Sequence, residues 1–190
     1  PDSSWRFMAE QIIQFRGVQK AFKGTVVYDD LTLDVRRGET LTIIGGSGVG
    51  KSVCLKMLIG LMSVDNGTIH AFGESVTDLD QRGLLRLRSR IAMLFQGAAL
   101  FDSMSVEENI KYPLIEHNWG TPGEMDRRVS EVLEMVDMPG IQKLKPAELS
   151  GGMKKRVGLA RSIAIKPEVI LYDEPTTGLD PVNVRRICLL

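Results

Sequence analysis

The chain has 190 residues, 43% of them hydrophobic, enough to bury a sizeable core as one domain with room for a subdomain. Its 24 lysines and arginines balance 24 aspartates and glutamates, so the formal net charge is zero and the totals carry no basic footprint of a nucleic-acid-handling protein. Two cysteines, Cys54 and Cys188, are too few for a disulfide framework or a thiolate metal site, and the simplest expectation is a reduced, intracellular protein.

No apolar run approaches about 18 residues, and the opening "PDSSWRFMAE" lacks the apolar stretch of a signal peptide. The expectation is a protein soluble by itself, with any membrane role exercised through a partner. Neither internal repeats nor low-complexity segments occur. In chain order, strands are expected at 11–18 (QIIQFRGV), 31–35 (LTLDV), 39–44 (ETLTII) and 68–72 (TIHAF), the last after the turn signal Asp65-Asn66-Gly67. A helical stretch then dominates 77–165, interrupted by a strand at 90–95 (RIAMLF). Ser105 with Glu108, and Thr121 with Pro122 and Glu124, have the spacing of helix-starting capping boxes. The second of these helices carries Met125, Val129, Val132, Leu133 and Val136 on one face, and the loop before it spans 118–123.

One stretch carries chemistry directly. "GGSGVGKS", residues 45–52, follows the apolar run TLTII and precedes the helix-like VCLKMLIGL. Gly45, Gly46, Gly48 and Gly50 suit a loop whose N–H groups converge on an anion, and the helix beginning near Lys51 adds unpaired N–H groups and its positive dipole end. The pattern G-x-x-x-x-G-K-[ST] is met by Gly45, Gly50, Lys51 and Ser52, with Ser47, Val49 and Val53 completing the segment that would wrap the phosphates. Lys51 is expected on the β- and γ-phosphate oxygens, and Ser52 on Mg²⁺.

A second stretch, Val169 to Tyr172, is a short apolar strand of the kind buried in a parallel sheet, and it ends in Asp173 and Glu174. In phosphoryl transfer the first carboxylate can hold Mg²⁺ and the second can orient or deprotonate the attacking water. Between these two stretches lies LSGGMKKRVGLARSIAI, residues 149–165, where Ser150 is the expected N-cap of a helix burying Met153, Val157, Ala160 and Ala164.

With these three motifs in place, the sequence resembles the nucleotide-binding domain of ATP-binding cassette (ABC) transporters over essentially its whole length. The family signature is usually Leu-Ser-Gly-Gly-Gln, and here Met153 stands at its fifth position. The resemblance implies an α/β P-loop NTPase core with a short antiparallel β subdomain and an inserted α-helical subdomain at about 97–160, all within one ATPase domain over 1–190. It implies ATP and Mg²⁺ as cofactors and a homodimer with two nucleotides sandwiched between subunits. Ser150, Gly151 and Gly152 would touch the γ-phosphate held by the other subunit. Phe22, 23 residues before Gly45, matches the aromatic residue that stacks on adenine. Gln96 matches the glutamine that senses Mg²⁺ and the transmembrane partner, and Asp180 in TGLD matches the residue that reaches across the dimer.

Residues 94–114 and the segment ELSGGM are similar to the ATPase subunits of the Mla or MCE type, bacterial systems that move phospholipids between membranes. That likeness implies a transmembrane permease subunit, an MCE lipid-binding protein in the complex, and a place on the cytoplasmic face of the bacterial inner membrane. Amino-acid and other importers share parts of the pattern, and a soluble ABC ATPase is a further alternative. Leu100, Phe101 and Met104 either line a groove for a membrane subunit or pack beneath the helices. Family members also carry a switch histidine roughly 30 residues beyond the TGLD motif. His70 and His117 lie far upstream of that place and are expected to be packing or surface residues, so the chain is expected to be C-terminally incomplete.

Overall fold

The computed structural model describes residues 10–46, 48–94 and 98–173. These fall into two compact units that divide between Arg88 and Ser89, and each holds its own sheet.

The first unit is built on a hairpin. Strand β1 (Gln11–Phe22) pairs antiparallel with β2 (Thr25–Arg36) from Gln11 opposite Arg36 to Phe22 opposite Thr25. Both residues of the connecting turn, Lys23 and Gly24, have positive φ (46° and 84°), the turn handedness that suits the twist of two short-linked strands. The strands expected at 11–18 and 31–35 therefore continue to the turn, a run the Lys-Gly pair did not advertise as Asn-Gly would have. Strand β3 (Asn66–Ala71) pairs with the other edge of β1, and β4 (Glu74–Ser75) with β3, giving the order β2-β1-β3-β4. Ile13, Phe15 and Val18 of β1 and Ile69 and Ala71 of β3 are buried, as are Met57 and Leu58 of helix α1 (Lys51–Leu58). Leu87 of helix α2 (Gln81–Arg90) is buried as well, and Arg88 of α2 donates from Nε to the carbonyl of Ile59 (2.9 Å) and from Nη2 to that of Gly60 (3.0 Å). These bonds satisfy carbonyls that the end of α1 leaves without intrahelical partners.

Residues 39–44 differ from expectation. Among the described residues no ladder includes them, and Leu41, Ile43 and Ile44 are exposed, Ile44 by 91%. β-Branched residues favour an extended backbone, but a strand exists only where another chain segment accepts its hydrogen bonds, and neither free edge of the first sheet does so.

In the second unit, β5 (Ile91–Leu94) and β6 (Val169–Tyr172) run parallel, from Ile91 opposite Val169 to Leu94 opposite Tyr172. The Glu168 N–H donates to the Arg90 carbonyl (2.8 Å) at one end of the ladder, and the Asp173 N–H to the Leu94 carbonyl (3.1 Å) at the other. Among the described residues three α-helices belong to this unit: α3 (Val106–Glu116), α4 (Pro122–Met135) and α5 (Gly151–Ile163). Ile110 and Leu114, Val129, Val132 and Leu133, and Val157 and Ala160 form one core with Val136 and Ala164, and Met125 packs on its edge. The apolar face expected for 125–136 is thus the buried one.

Both expected caps occur. The Glu108 carboxylate accepts from the Ser105 N–H (2.7 Å), and the Glu108 N–H donates to the Ser105 hydroxyl (3.2 Å). Glu124 accepts from the N–H and the hydroxyl of Thr121 (2.7 and 2.8 Å). Among its described residues two polar side chains are buried, and neither announces itself in sequence. Arg128 caps the end of α5, donating to the carbonyls of Ala164 (2.9 Å) and Ile163 (2.7 Å). The fully buried Asn109 amide accepts from the Phe101 N–H and donates to the carbonyls of Phe101, Met104 and Ser105. Among the described residues no helix is long and apolar enough to cross a membrane.

Candidate functional site

The glycine-rich loop ends where α1 begins. Gly50 is the N-cap residue, with φ 103° and ψ 0°, and Gly48 has φ 80°. Neither conformation is comfortable for a residue with a Cβ, and at Gly50 a Cβ would also lie 2.4 Å from Val27 Cγ1 and 3.3 Å from the Tyr28 ring. The Gly50 carbonyl accepts from the N–H groups of Val53 (2.7 Å) and Cys54 (3.1 Å), which starts the helix. In a trans peptide the carbonyl and the following N–H point opposite ways, so the Lys51 N–H is turned away from the helix, towards the loop. The Lys51 ammonium donates to the carbonyls of Gly45 and Gly46, both at 2.8 Å, and so lies over the same loop. Gly45, Gly46 and Val49 are exposed, Ser52 and Val53 are half-buried, and Ser47 lies outside the described residues.

This arrangement fits a nucleotide's phosphates: turned N–H groups, a helix N-terminus and one mobile cation converge on an exposed loop. The donor set also suits Mg²⁺, a hard cation that keeps several waters and takes one or two protein oxygens beside phosphates. In the first unit Ser52 supplies such an oxygen, a hydroxyl at the second position of α1, and in the second unit Asp173 is a carboxylate immediately after β6. Among the described residues no group of three or more histidine, cysteine or acidic side chains forms a cage that would favour a different metal.

In the second unit, the ladder bond from Asp173 to Leu94 brings the ends of β6 and β5 level. Gln96, Glu174 and Asp180 lie outside the described residues. Ser150 is the N-cap of α5, its hydroxyl accepting from the Met153 N–H (3.2 Å). Ser150 and Gly151 are exposed, and Gly152 is half-buried. Phe22, the last residue of β1, is 40% exposed, with Lys20 Nζ 5.5 Å from its ring centroid. That ammonium is itself held by Asp65 at 2.6 Å, and Asp65 also accepts from the Ala21 N–H (2.7 Å). Of the two readings open for 100–104, Leu100 packs against the core, while Phe101 stays 41% exposed, tilted against Tyr112 with ring centroids 4.9 Å apart.

Two residues absent from the sequence reading brace these segments. Tyr28 donates its hydroxyl to the Gly50 carbonyl at 3.0 Å. Arg161 of α5 donates to the carbonyls of Ala98 (3.0 Å) and Ala99 (2.9 Å), both with left-handed φ, and its guanidinium lies 5.7 Å over the Phe101 ring. Arg161 falls within the quoted signature helix, so its position was visible although its partners were not. No local pattern marked Tyr28, because its partner lies 22 residues away.

The chain is 42% identical over 171 residues to a probable ribonucleotide transport ATP-binding protein, mkl, of Mycobacterium leprae (strain TN), covering 90% of the chain and 49% of that protein. It is 38% identical over 173 residues to the intermembrane phospholipid transport system ATP-binding protein MlaF of Escherichia coli (strain K12), covering 91% of the chain and 64% of that protein. The chain thus spans about half the length of the mkl relatives it matches. A solved dimeric ATP-binding cassette in a post-hydrolysis state, bound to ADP and Pi, superposes with a TM-score of 0.86 at 30% identity, covering 94% of this chain and 80% of that one. Residues 28–177 match the family described as ABC transporter, and with the phosphate loop, the capped signature helix and the strand ending in Asp173 in place, the chain belongs to that family.

Proposed function

We propose that the chain is the ATP-binding and ATP-hydrolysing part of a membrane ABC transporter, a single ATPase domain whose helical subdomain spans about 97–160. The observation that carries the reading is the phosphate cradle, in which Gly50 turns the Lys51 N–H towards the loop and the Lys51 ammonium lies over the Gly45 and Gly46 carbonyls. Lys51 would exchange those carbonyls for β- and γ-phosphate oxygens, and Ser52, Asp173 and Gln96 would hold Mg²⁺. When bound, Mg²⁺ neutralises charge on the transferring phosphoryl group. Glu174 takes the proton of the attacking water, Phe22 stacks on adenine, and Ser150, Gly151, Gly152 and Asp180 serve the nucleotide of a second copy.

The finer assignment is phospholipid transport of the Mla or MCE type, with a transmembrane permease, an MCE lipid-binding protein and a site on the cytoplasmic face of the inner membrane. It is supported by the likeness to MlaF across 173 residues. The higher identity to the mkl protein keeps another transported substrate as the second reading. No nucleic-acid partner is proposed, given the balanced charge.

Two variants of the full-length protein test the chemistry. Lys51→Ala should collapse ATP affinity, turnover or both, and unchanged binding and turnover would reject the cradle. Glu174→Gln should bind ATP but hydrolyse it at least about 100-fold more slowly, and a parental rate would move the base elsewhere. Reconstitution with its permease should show ATP-dependent movement of a fluorescent phospholipid. Active ATPase without lipid movement would reject the lipid assignment.

A further inference from the structure

The geometry points to Tyr28 as a positioning residue for the phosphate loop, one that ties the loop to the hairpin ending in Phe22. The inference rests on the nucleotide-binding reading above. Three donors converge on the Gly50 carbonyl: the Val53 and Cys54 N–H groups of α1, and the Tyr28 hydroxyl at 3.0 Å. The first two come from the helix that Gly50 itself starts, whereas Tyr28 comes from β2, a different element. Its bond therefore fixes the Gly50 peptide against the sheet. Because the carbonyl and the Lys51 N–H share one peptide plane, fixing the first aims the second into the phosphate cradle.

The side chain suits this task. Burial, and secondarily the neighbouring Cys54, raise the Tyr28 phenol above its ordinary pKa, so it stays an O–H donor across the neutral range. Val27, next to it on β2, lies so close to Gly50 that a Cβ there would come within 2.4 Å, so β2 presses on the cap residue from two consecutive positions. Tyr28 stands opposite Lys20 in the β1–β2 ladder, and the Lys20 ammonium lies 5.5 Å from the Phe22 ring centroid. One hairpin thus carries both the proposed adenine platform and the brace of the phosphate loop.

The test is Tyr28→Phe in the full-length protein, which deletes the hydroxyl and keeps the ring. A lost hydrogen bond of ordinary strength corresponds to an affinity change of about two- to tenfold. Titrations with MgATP, MgADP and adenosine should show that loss for the two phosphorylated ligands and no change for adenosine, because the base platform is untouched. Unchanged ATP and ADP affinity would overturn the inference, and so would an equal loss for all three ligands, the result of general loosening. Lys51→Ala in the same assay separates the two levels of argument. If Lys51→Ala weakens ATP binding and Tyr28→Phe does not, the brace alone fails. If neither does, the nucleotide-binding reading fails with it.

Discussion

Replacing Gly50 with alanine tests the loop geometry through stability, without reference to activity. Two costs add at this position. At φ 103° and ψ 0° an L-residue sits outside its comfortable backbone regions, a strain of order 1–3 kcal/mol. The new methyl would also lie 2.4 Å from Val27 Cγ1 and 3.3 Å from the Tyr28 ring, and relieving such an overlap costs typically 1–3 kcal/mol. The sum, about 2–6 kcal/mol, is a large share of the roughly 5–15 kcal/mol by which a domain is stable. At a denaturant dependence of about 2 kcal/mol/M, the urea midpoint of the full-length protein should fall by about 1–3 M. Gly48→Ala is the internal control: its φ of 80° imposes backbone strain, but nothing lies within 4 Å of its added Cβ. Gly48→Ala should therefore cost only about 1–2 kcal/mol. Equal midpoints for the two variants would refute the argument, since both carry backbone strain and Gly50 alone of the two meets β2.

Three other expectations follow from the same geometry. Asn109→Ala removes the amide oxygen that accepts from the Phe101 N–H and the amide group that donates to the Met104 carbonyl, so the full-length protein should lose about 1–3 kcal/mol in urea titration, and a loss below about 0.5 kcal/mol would contradict the assigned bonds. Hydrogen bonds from the Ser105 backbone and hydroxyl hold the Glu108 carboxyl below its ordinary pKa, and those from Thr121 do the same for Glu124. A depressed folded-state pKa contributes stability above the unfolded carboxylate range that is lost as pH falls through the folded value, so Glu108→Gln should shallow the acid limb of a stability-against-pH curve, and an unchanged limb would count against the cap. Burial pushes the Cys54 thiol up to about 11, so in the folded protein at neutral pH a thiol reagent followed by peptide mass spectrometry should leave Cys54 unmodified, whereas labelling at the rate of the unfolded chain would contradict its burial.

What the sequence determined by itself is the chemistry that lies within a few residues along the chain. The run from Gly45 to Ser52, the Ser150 N-cap, the capping pairs at Ser105 and Thr121, and Val169 to Tyr172 ending in Asp173 are local patterns, because a helix start or a turned peptide is decided by its immediate neighbours. The apolar face from Met125 to Val136 was equally legible, since helical periodicity is a local property and only its burial required a partner. Tertiary structure decided what depends on a second segment. Whether 39–44 forms a strand turns on who accepts its hydrogen bonds, and its β-branched residues could not supply a partner. The Tyr28 bond to Gly50, the Arg128 cap on α5 and the Arg161 clamp on Ala98 and Ala99 span 22 to 63 residues, and in sequence each is an ordinary polar side chain. Only folding brings each beside the carbonyl it serves, and there a long-range donor fixes the shape of the segment it holds.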